Sequence, residues 1–282
     1  MSTRMQRHDL HKLHGLGNDF LVWFRPTLPD NAAELAIEWC DRRTGIGADG
    51  LIVAIDHKTS PVFHLFNSDG SVPEISGNGL RCMAHAIAAR RGVAEAEFVI
   101  DTPAGPRLAI VANGLDRQAT VRVGMGAPSP GPPLAGLDID SIVAYRKVQT
   151  IDMGNPHTVI QVDSLDGLDI ATIGPAVEAL FPETGMNVHL ATVAGNRVSL
   201  KIWERGAGTT EACGSGACAA ATVAALGQPD VESFVVEMPG GAASVTVGDE
   251  ILLEGPSVYV AAIAGLDDPA ATPSTTEEGA NG

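Results

Sequence analysis

The chain has 282 residues, of which 45% are hydrophobic and 18% are charged, so it can bury one large core or two modest ones. Its formal charge of −16 argues against nucleic acid or anionic lipid as a partner, because no cluster of Lys and Arg beyond the short run around Arg42 offsets it. No uninterrupted apolar stretch reaches the ~18 residues that a membrane-spanning helix needs, so we expect no membrane partner.

The cysteine content indicates a reducing compartment. The four cysteines are Cys40, Cys82, Cys213 and Cys218. The N-terminal segment MSTRMQRHDLHK is polar and lacks the apolar region of an export signal. We therefore expect free thiols and a cytoplasmic location.

The first half of the chain is typical of a mixed α and β structure. Aromatic residues make up only 4%, so Val, Ile, Leu and Ala must fill the interior. Apolar runs predict strands over Asp19–Phe24, Leu51–Ile55 and Val62–Phe66, a helix over Ala32–Trp39, and a further strand over EFVI. A longer helix is expected after Gly79, with Gly92 as its C-terminal stop.

The second half repeats this order of elements. Strands are predicted near Ala144–Asp152, over Thr158–Val162 and over VSLKIWE, with a helix through Pro175–Leu180. A second Gly-rich turn, CGSG, opens an Ala-rich helix that should stop at Gly227.

The two halves also correspond in spacing, which indicates an internal duplication. Gly17-Asn18 and Gly154-Asn155 are 137 residues apart, and so are Ser76 and Cys213. This period is far too long for a solenoid, so we predict an α/β fold of the α+β type with two pseudo-symmetric lobes.

The lobe boundaries follow from composition. We expect an N-terminal lobe over residues 1–123 plus about 257–270, and a C-terminal lobe over residues 124–256. The Gly/Pro-rich stretch from Gly124 to Gly136 should link them without helix or strand pairing. Residues 268–282 are predicted to be a disordered tail.

Both halves place a small nucleophilic residue before a glycine-rich turn that opens a helix. Ser76 precedes GNG and Cys213 precedes GSG. Two such helix N-termini would hold a carboxylate between them and lower a cysteine pKa. That arrangement suits proton removal at the carbon next to a carboxylate, with an acid and a base on opposite faces. Alternatively, the turns are ordinary helix caps and Cys213 is a small buried apolar residue.

Several segments resemble the diaminopimelate epimerase family, in order from Lys12 to about Ala220. They are HGLGNDF, GIGADGLI, FNSDGS, GNGLRC, GNPH, MNV and ERGAGTTEACGSGACAA. The resemblance implies two lobes, each a curved, mainly antiparallel sheet around a central helix, with the active site in the cleft between them. It further implies epimerisation of LL-2,6-diaminopimelate to the meso isomer, an amino-acid substrate, no cofactor, no metal and a homodimer.

The resemblance also assigns roles to residues of this chain. It implies that Cys213 is one of two acid/base groups, and that the turns Gly77-Asn78 and Gly214-Ser215 hold the reacting carboxylate and amine. It makes His157 and Glu204 assistants near the ammonium group, although His157 could also be an ordinary turn histidine after Pro156. The residues that it implies for substrate binding are Asn18, Asn67, Asn155, Asn187, Glu204 and Arg205, the last pairing with the distal carboxylate.

One residue departs from the family pattern. The family has a cysteine before the first GNG, whereas this chain has Ser76, and a serine hydroxyl is scarcely ionised near neutral pH. The chain could carry an engineered Cys-to-Ser change or be a natural epimerase with weakened or asymmetric activity. It could instead be a relative with other chemistry, such as the hydroxyproline dehydratases, or a non-catalytic amino-acid-binding homologue.

The other cysteines and one glycine motif suggest weaker alternatives. Cys82 should face the lobe interior, almost two turns beyond Ser76, and Cys40 should lie in or near a core. Cys213 and Cys218 form a C-x4-C pair that we expect to lack nearby histidine ligands, so no metal is predicted. The motif GIGADG matches a dinucleotide-binding pattern, but a strand follows it where a helix is required.

Overall fold

A computed structural model describes residues 10–73 and 76–264. The helices in that part of the chain are α1 (Ala32–Cys40), α2 (Gly77–Arg91), α3 (Ile170–Glu178) and α4 (Gly214–Ala225). The strands are β1 (Leu10–Gly15), β2 (Asn18–Phe24), β3 (Gly50–Ile55), β4 (Val62–Asn67), β5 (Ala96–Thr102), β6 (Gly105–Ala112), β7 (Gln118–Gly124), β8 (Ser129–Pro130), β9 (Lys147–Asp152), β10 (Pro156–Gln161), β11 (Asn187–Ala194), β12 (Arg197–Glu204), β13 (Gly208–Thr209), β14 (Ser233–Met238), β15 (Gly241–Thr246) and β16 (Leu252–Ile263).

The first lobe is a closed barrel around a central helix. Strands β1 to β7 follow one another in space, β16 pairs with β7, and β1 pairs with β16 to close the ring of eight. Helix α2 runs through the barrel and contacts β1, β2, β3, β4, β6, β7 and β16. Helix α1 packs outside, against β3 and β4.

The second lobe continues the same sheet. From β16 the order is β15, β14, β12, β11, β10, β9 and β8, with β13 paired to β12. Helix α4 contacts β9, β10, β11, β12, β14 and β15, whereas α3 lies on the other side against β11 and β12. Strand β16 therefore belongs to both lobes, and each lobe has one inner and one outer helix.

The strand directions repeat from lobe to lobe. In the first lobe β1–β2 is antiparallel, β2–β3 parallel, β3–β4 antiparallel and β4–β5 parallel. In the second, β9–β10, β10–β11, β11–β12 and β12–β14 follow the same alternation. Four pairs of equivalent elements begin 137 residues apart, at Leu10 and Lys147, Gly50 and Asn187, Gly77 and Gly214, and Ala96 and Ser233. The two-lobe fold predicted from the sequence is confirmed.

The inner helices are buried on every side. Every residue of α2 from Gly77 to Ala88 is buried, as is every residue of α4 from Gly214 to Ala224. A helix enclosed by strands can present no polar face to water, and small side chains let the sheet approach it closely. The Ala-rich and Gly-rich composition of both helices follows from this position.

Most of the predicted elements are present, with three corrections. Helix α2 begins at Gly77 rather than after Gly79, because Ser76 caps it. Helix α3 begins at Ile170 rather than Pro175, because the Asp169 carboxylate accepts a hydrogen bond from the Ala171 amide at 3.1 Å. The stretch predicted to be unpaired contains β8, whose Ser129 and Pro130 pair with β9.

Several expectations about cysteines and membranes can be compared with this structure. All four cysteines are free thiols and buried, and Cys40 and Cys82 lie in apolar clusters as predicted. No helix in the described residues is long and apolar enough to cross a bilayer. The predicted disordered tail, residues 268–282, lies outside the described residues, and the lobe boundaries stay predictions.

Replacing Gly174 by Ala should destabilise the protein. A β-carbon at this position of α3 would lie 2.4–2.8 Å from three atoms of Trp203, whose indole Nε1 donates to Glu178 at 2.7 Å and is thereby held in place. We expect a loss of about 1–2 kcal/mol in urea unfolding, although Gly-to-Ala within a helix normally stabilises. The control Gly248→Ala, where only ordinary contacts are met, should change little; equal effects of the two changes would contradict this packing.

The buried thiols should make the fold sensitive to alkali. Burial raises the pKa of Cys40, Cys82 and Cys218 from 9.0 to about 12, so each thiol ionises in the unfolded chain first. Their contribution to stability is complete below pH 9 and is lost as the pH rises towards 12, by about 1.4 kcal/mol per thiol between pH 8 and 10. The free energy of unfolding, measured in urea, should fall between pH 8 and pH 10 by about 1.4 kcal/mol less in Cys82→Ala than in the wild type. Met83→Leu, a neighbouring change without a thiol, should keep the wild-type pH dependence.

Candidate active site

The residues that immediately precede the two inner helices adopt the same capping geometry. Ser76 has φ −138° and ψ 109°, and its Oγ accepts a hydrogen bond from the Gly79 amide at 3.0 Å. Cys213 has φ −127° and ψ 109°, and its Sγ accepts from the Gly216 amide at 3.4 Å. Both side chains therefore lie at the positive end of a helix dipole, where negative charge is stabilised.

These two helix starts meet at the boundary between the lobes. A β-carbon added to Gly214 would lie 3.5 Å from the Gly77 α-carbon and 3.6 Å from the Asn78 nitrogen. The Leu253 side chain fills the space beside both turns, 2.6 Å from where a Gly77 β-carbon would be. The amide groups of two helix N-termini thus converge on one place, which is a favourable arrangement for an anion.

Cys213 lies in a buried and acidic environment. Its thiol is 3.7 Å from Ser215 Oγ and hydrogen-bonds with the Glu204 carboxyl group. Burial and the neighbouring Glu204 raise the pKa of Cys213 well above its usual value. Burial also raises the pKa of Glu204, against the opposing effect of its hydrogen bonds with Thr210 and Cys213. At neutral pH the thiol is therefore protonated and can donate a proton.

A pair of buried histidines lies beside Cys213. His157 on β10 and His189 on β11 stack with ring centroids 5.1 Å apart, and His157 Nδ1 is 2.9 Å from His189 Nε2. His157 Nε2 is 2.8 Å from Asn155 Oδ1, which can only accept, so His157 carries its proton on Nε2. Its Nδ1 then accepts from His189 Nε2. Burial lowers the pKa of both rings, that of His189 to about 3, so both are neutral.

Asn187 connects the start of β11 to the end of β12. Its Nδ2 donates to the Pro156 carbonyl at 2.9 Å, and its Oδ1 accepts from the Arg205 backbone amide at 3.1 Å. The aliphatic part of the Arg205 side chain lies over Gly185, and its guanidinium donates to the Thr184 carbonyl at 2.8 Å. Asn187 therefore fixes the backbone from which Arg205 extends.

A chain of side-chain hydrogen bonds runs through the first lobe. Arg81 Nη2 donates to Asn78 Oδ1 at 2.7 Å, and Asn78 Nδ2 donates to Asn18 Oδ1 at 3.0 Å. Asn18 Nδ2 in turn donates to Asp49 Oδ2 at 2.7 Å, and Arg42 donates to Asp49 Oδ1 at 2.7 Å. Because each amide has one donor and one acceptor in use, the orientation of both asparagines is determined.

The charged end of this chain is compensated. Asp19 binds Lys12 at 2.9 Å and Arg42 at 2.7 Å. Burial opposes ionisation of Asp19, but the hydrogen bonds from Arg42 and Lys12 prevail and lower its pKa. Asp19 therefore stays charged and holds Arg42, which in turn binds the Asp49 carboxylate that accepts from the Asn18 amide.

The structure brings most of the residues predicted from the sequence into contact with one another. One group contains Asn155, His157, Asn187, Glu204, Arg205, Cys213, Gly214 and Ser215, and a second contains Asn18, Ser76, Gly77 and Asn78. Asn67 differs, because its side-chain amide donates to Ser71 Oγ within its own turn at 3.0 Å.

Sequence reasoning missed four contributors to this site. His189, Asp49, Arg81 and Thr210 each contact a predicted residue. Position 189 lies two residues after Asn187, on the same face of a strand, so a strand prediction over Asn187–Ala194 would have indicated His189. The expectation that Cys213 lacks nearby histidines was wrong, because His157, His189 and Cys213 place ligand atoms within 4.8 Å of one another.

Comparison with known proteins identifies the family. The family model described as diaminopimelate epimerase matches residues 10–130 and 149–260. A diaminopimelate epimerase of Trichodesmium erythraeum is 38% identical over 270 residues, covering 88% of this chain and 96% of that protein. One of Desulfitobacterium hafniense is 37% identical over 273 residues, covering 89% and 96%.

Solved structures with the same fold are more distant in sequence. A phenazine biosynthesis protein of the PhzF family from Bacillus anthracis superposes with a TM-score of 0.71 at 15% identity, covering 93% of this chain and 100% of that one. A hydroxyproline epimerase from Agrobacterium vitis superposes with a TM-score of 0.60 at 15% identity, covering 95% of both chains. These likenesses concern the fold. The family-model match and the relatives at 37–38% identity show that this chain belongs to the diaminopimelate epimerase family.

Proposed function

We propose that this protein is an isomerase that converts LL-2,6-diaminopimelate to meso-diaminopimelate, a step towards lysine and peptidoglycan precursors. The observation that carries this proposal is the meeting of two helix N-termini, each capped by a side chain that can exchange a proton. The relatives that are 37–38% identical over 88–89% of this chain are named for this activity.

The backbone amides of the two turns would hold the reacting carboxylate. The groups concerned are the N-H groups of Gly77, Asn78, Gly214 and Ser215, which begin α2 and α4. When the α-proton leaves, negative charge develops on this carboxylate, and fixed dipoles that point at it stabilise the carbanion without a cofactor. A buried location strengthens these interactions, because water does not compete for the charge.

Cys213 would exchange the proton on one face of the α-carbon. With its raised pKa it is protonated at neutral pH, so it is ready to deliver a proton to the carbanion. To accept a proton it must first ionise, and both the Gly216 amide and the substrate ammonium group favour the thiolate. Glu204 and the neutral His157 would contact that ammonium group.

Ser76 would occupy the position on the opposite face. Its hydroxyl already accepts a hydrogen bond from Gly79, so it serves as the helix cap. As a base it is much weaker than a thiolate at neutral pH, which predicts slow proton removal on that face. Epimerisation should therefore be impaired in both directions, whereas exchange of the α-proton with solvent should be faster for the isomer from which Cys213 removes it.

The rest of the pocket would recognise the two amino-acid ends of the substrate. We assign substrate contacts to Asn18, Asn67, Asn155, Asn187 and Glu204, and the distal carboxylate to Arg205. The chain of hydrogen bonds from Arg81 to Asp49 supports this role, because it fixes the orientation of Asn18 before the substrate binds. Cofactor independence, a cytoplasmic location and a homodimer form part of the same proposal, as do the predicted lobe boundaries.

The alternative activities receive less support. A hydroxyproline-type dehydratase or another racemase would share the fold, and the likeness to the hydroxyproline epimerase is one of fold alone at 15% identity. A non-catalytic amino-acid-binding homologue would keep the helix termini, and it would show no exchange of the substrate α-proton.

The direct test follows the substrate α-proton by NMR in deuterated buffer. With LL-diaminopimelate we expect slow loss of the α-proton signal and formation of the meso isomer, and Cys213→Ala should abolish both. If the wild type leaves the α-proton untouched after prolonged incubation, the protein is not this epimerase, and a binding role replaces the proposal.

Restoring the second thiol should raise activity and lower stability. We expect Ser76→Cys to increase kcat by about 100-fold or more, because a positioned acid/base group contributes that much. The same change replaces a good helix-capping residue, so unfolding should become easier by about 0.5–1 kcal/mol. The measurements are initial epimerisation rates and urea unfolding.

A matched control separates the position from the residue type. Ser244→Cys introduces a thiol on β15, away from both helix termini, and should leave the rate unchanged. If Ser76→Cys is no faster than the wild type while its fold is intact, Ser76 does not stand at the second acid/base position.

A further inference from the structure

The contact between Cys213 and two buried histidines is not required by the proposed reaction. That reaction uses the thiol, Glu204 and His157, whereas His189 has no part in it. The ligand atoms of His157, His189 and Cys213 lie within 4.8 Å of one another, and all three residues are buried. Two imidazoles and one thiol form a donor set typical of Zn²⁺ and Co²⁺.

We propose that His157, His189 and Cys213 form a binding site for a divalent cation of the Zn²⁺ class, which would reversibly block the reactive thiol. The three residues come from three different elements of the second lobe, β10, β11 and the cap of α4. His157 pairs with Asn187 and His189 with Val159, so both histidines lie on the face of the sheet that contacts α4.

The first ligand is already oriented for a metal. His157 donates its Nε2 proton to Asn155 Oδ1 at 2.8 Å, which leaves the lone pair of Nδ1 directed at the cluster. Metal-binding histidines usually donate their second nitrogen to an oxygen in this way. Both rings are neutral, so neither has to lose a proton to solvent before it binds the metal.

The second ligand requires a change of tautomer. His189 Nε2 donates to His157 Nδ1 at 2.9 Å, and His189 Nδ1 is a buried nitrogen without a hydrogen-bond partner. Moving the proton from Nε2 to Nδ1 turns both facing nitrogens into ligands. In a tetrahedral site they would be about 3.3 Å apart, so the rings need to separate by only a few tenths of an ångström.

The packing of His189 and the charge also favour the site. Gly216 lets the His189 ring approach Cys213, because a β-carbon there would lie 2.3 Å from His189 Cε1 and 3.1 Å from Cys213 Sγ. On binding, the Cys213 S–H bond breaks, its proton passes to solvent and a sulfur–metal bond forms. The resulting thiolate offsets one of the two positive charges of the cation, and ionisation of the adjacent Glu204 would offset the other. Three protein ligands leave a fourth position for water or Glu204.

Cobalt titration of the metal-free protein tests this site without reference to activity. One Co²⁺ per chain should produce thiolate-to-cobalt charge-transfer absorption, and added Zn²⁺ should displace it. Affinity should rise about tenfold per pH unit below the thiol pKa, because one proton is released. The absence of a saturable charge-transfer band would overturn the proposal.

Variants assign the ligands. Cys213→Ser should remove the charge-transfer band, and His189→Gln should weaken Co²⁺ binding by about 100-fold. The controls Cys40→Ser and His85→Gln change a buried thiol and a buried histidine outside the cluster, and both should bind Co²⁺ like the wild type. A band that survives in Cys213→Ser, or an unchanged affinity in His189→Gln, overturns the proposal. If His189→Gln fails to fold, as judged by circular dichroism, His157→Gln provides the same test.

The inhibitory consequence rests on the proposed function and is measured separately. Zn²⁺ should stop α-proton exchange from diaminopimelate, and a chelator should restore it. Metal binding without any exchange activity in the metal-free protein would refute the proposed function and leave the site intact. Exchange that continues at saturating Zn²⁺ would refute the blocking role.

Discussion

The close approach of two helix N-termini is the constraint on which the rest of this structure depends. Gly77 and Gly214 face each other across the lobe boundary, and Leu253 packs against both turns so closely that a side chain at Gly77 would collide with it. Glycine at position 77 therefore leaves the space that Leu253 occupies, and in the proposed reaction the amides of both helices would point at one substrate group. The enclosing strands, the Ala-rich inner helices and the shared strand β16 all serve to hold these two turns together.

Burial determines the protonation of every group around this point. The same exclusion of water keeps Cys213 a thiol and both histidines uncharged, and it raises the pKa of Glu204. A charge is tolerated only where partners surround it, as for Asp19 between Lys12 and Arg42. A site of this kind can store a proton, and in the proposed reaction the charge of the substrate would change the protonation of the thiol.

At position 76 the structural role and the proposed chemical role require different properties of the side chain. Capping α2 requires a side-chain acceptor for the Gly79 amide, and a serine hydroxyl meets that requirement better than a thiol. Accepting a carbon-bound proton requires an ionisable group, which the hydroxyl is not at neutral pH. Folding and the symmetry of the two lobes are therefore preserved by a residue that weakens one of the two proposed acid/base positions.

The sequence by itself determined the two-lobe fold, the caps at Ser76 and Cys213 and most of the candidate site, because apolar periodicity, glycine turns and a 137-residue repeat are local or linear signals. Tertiary structure decided which side chains meet. His189, Asp49 and Arg81 carry no distinctive motif, and their roles come from contacts between strands and helices that are distant along the chain. The early start of α3 and the pairing of β8 were likewise missed, since a cap at Asp169 and strand partners 21–23 residues away outweigh the local effect of proline. Tertiary structure also decided the protonation states, because the burial that shifts each pKa depends on the whole folded chain.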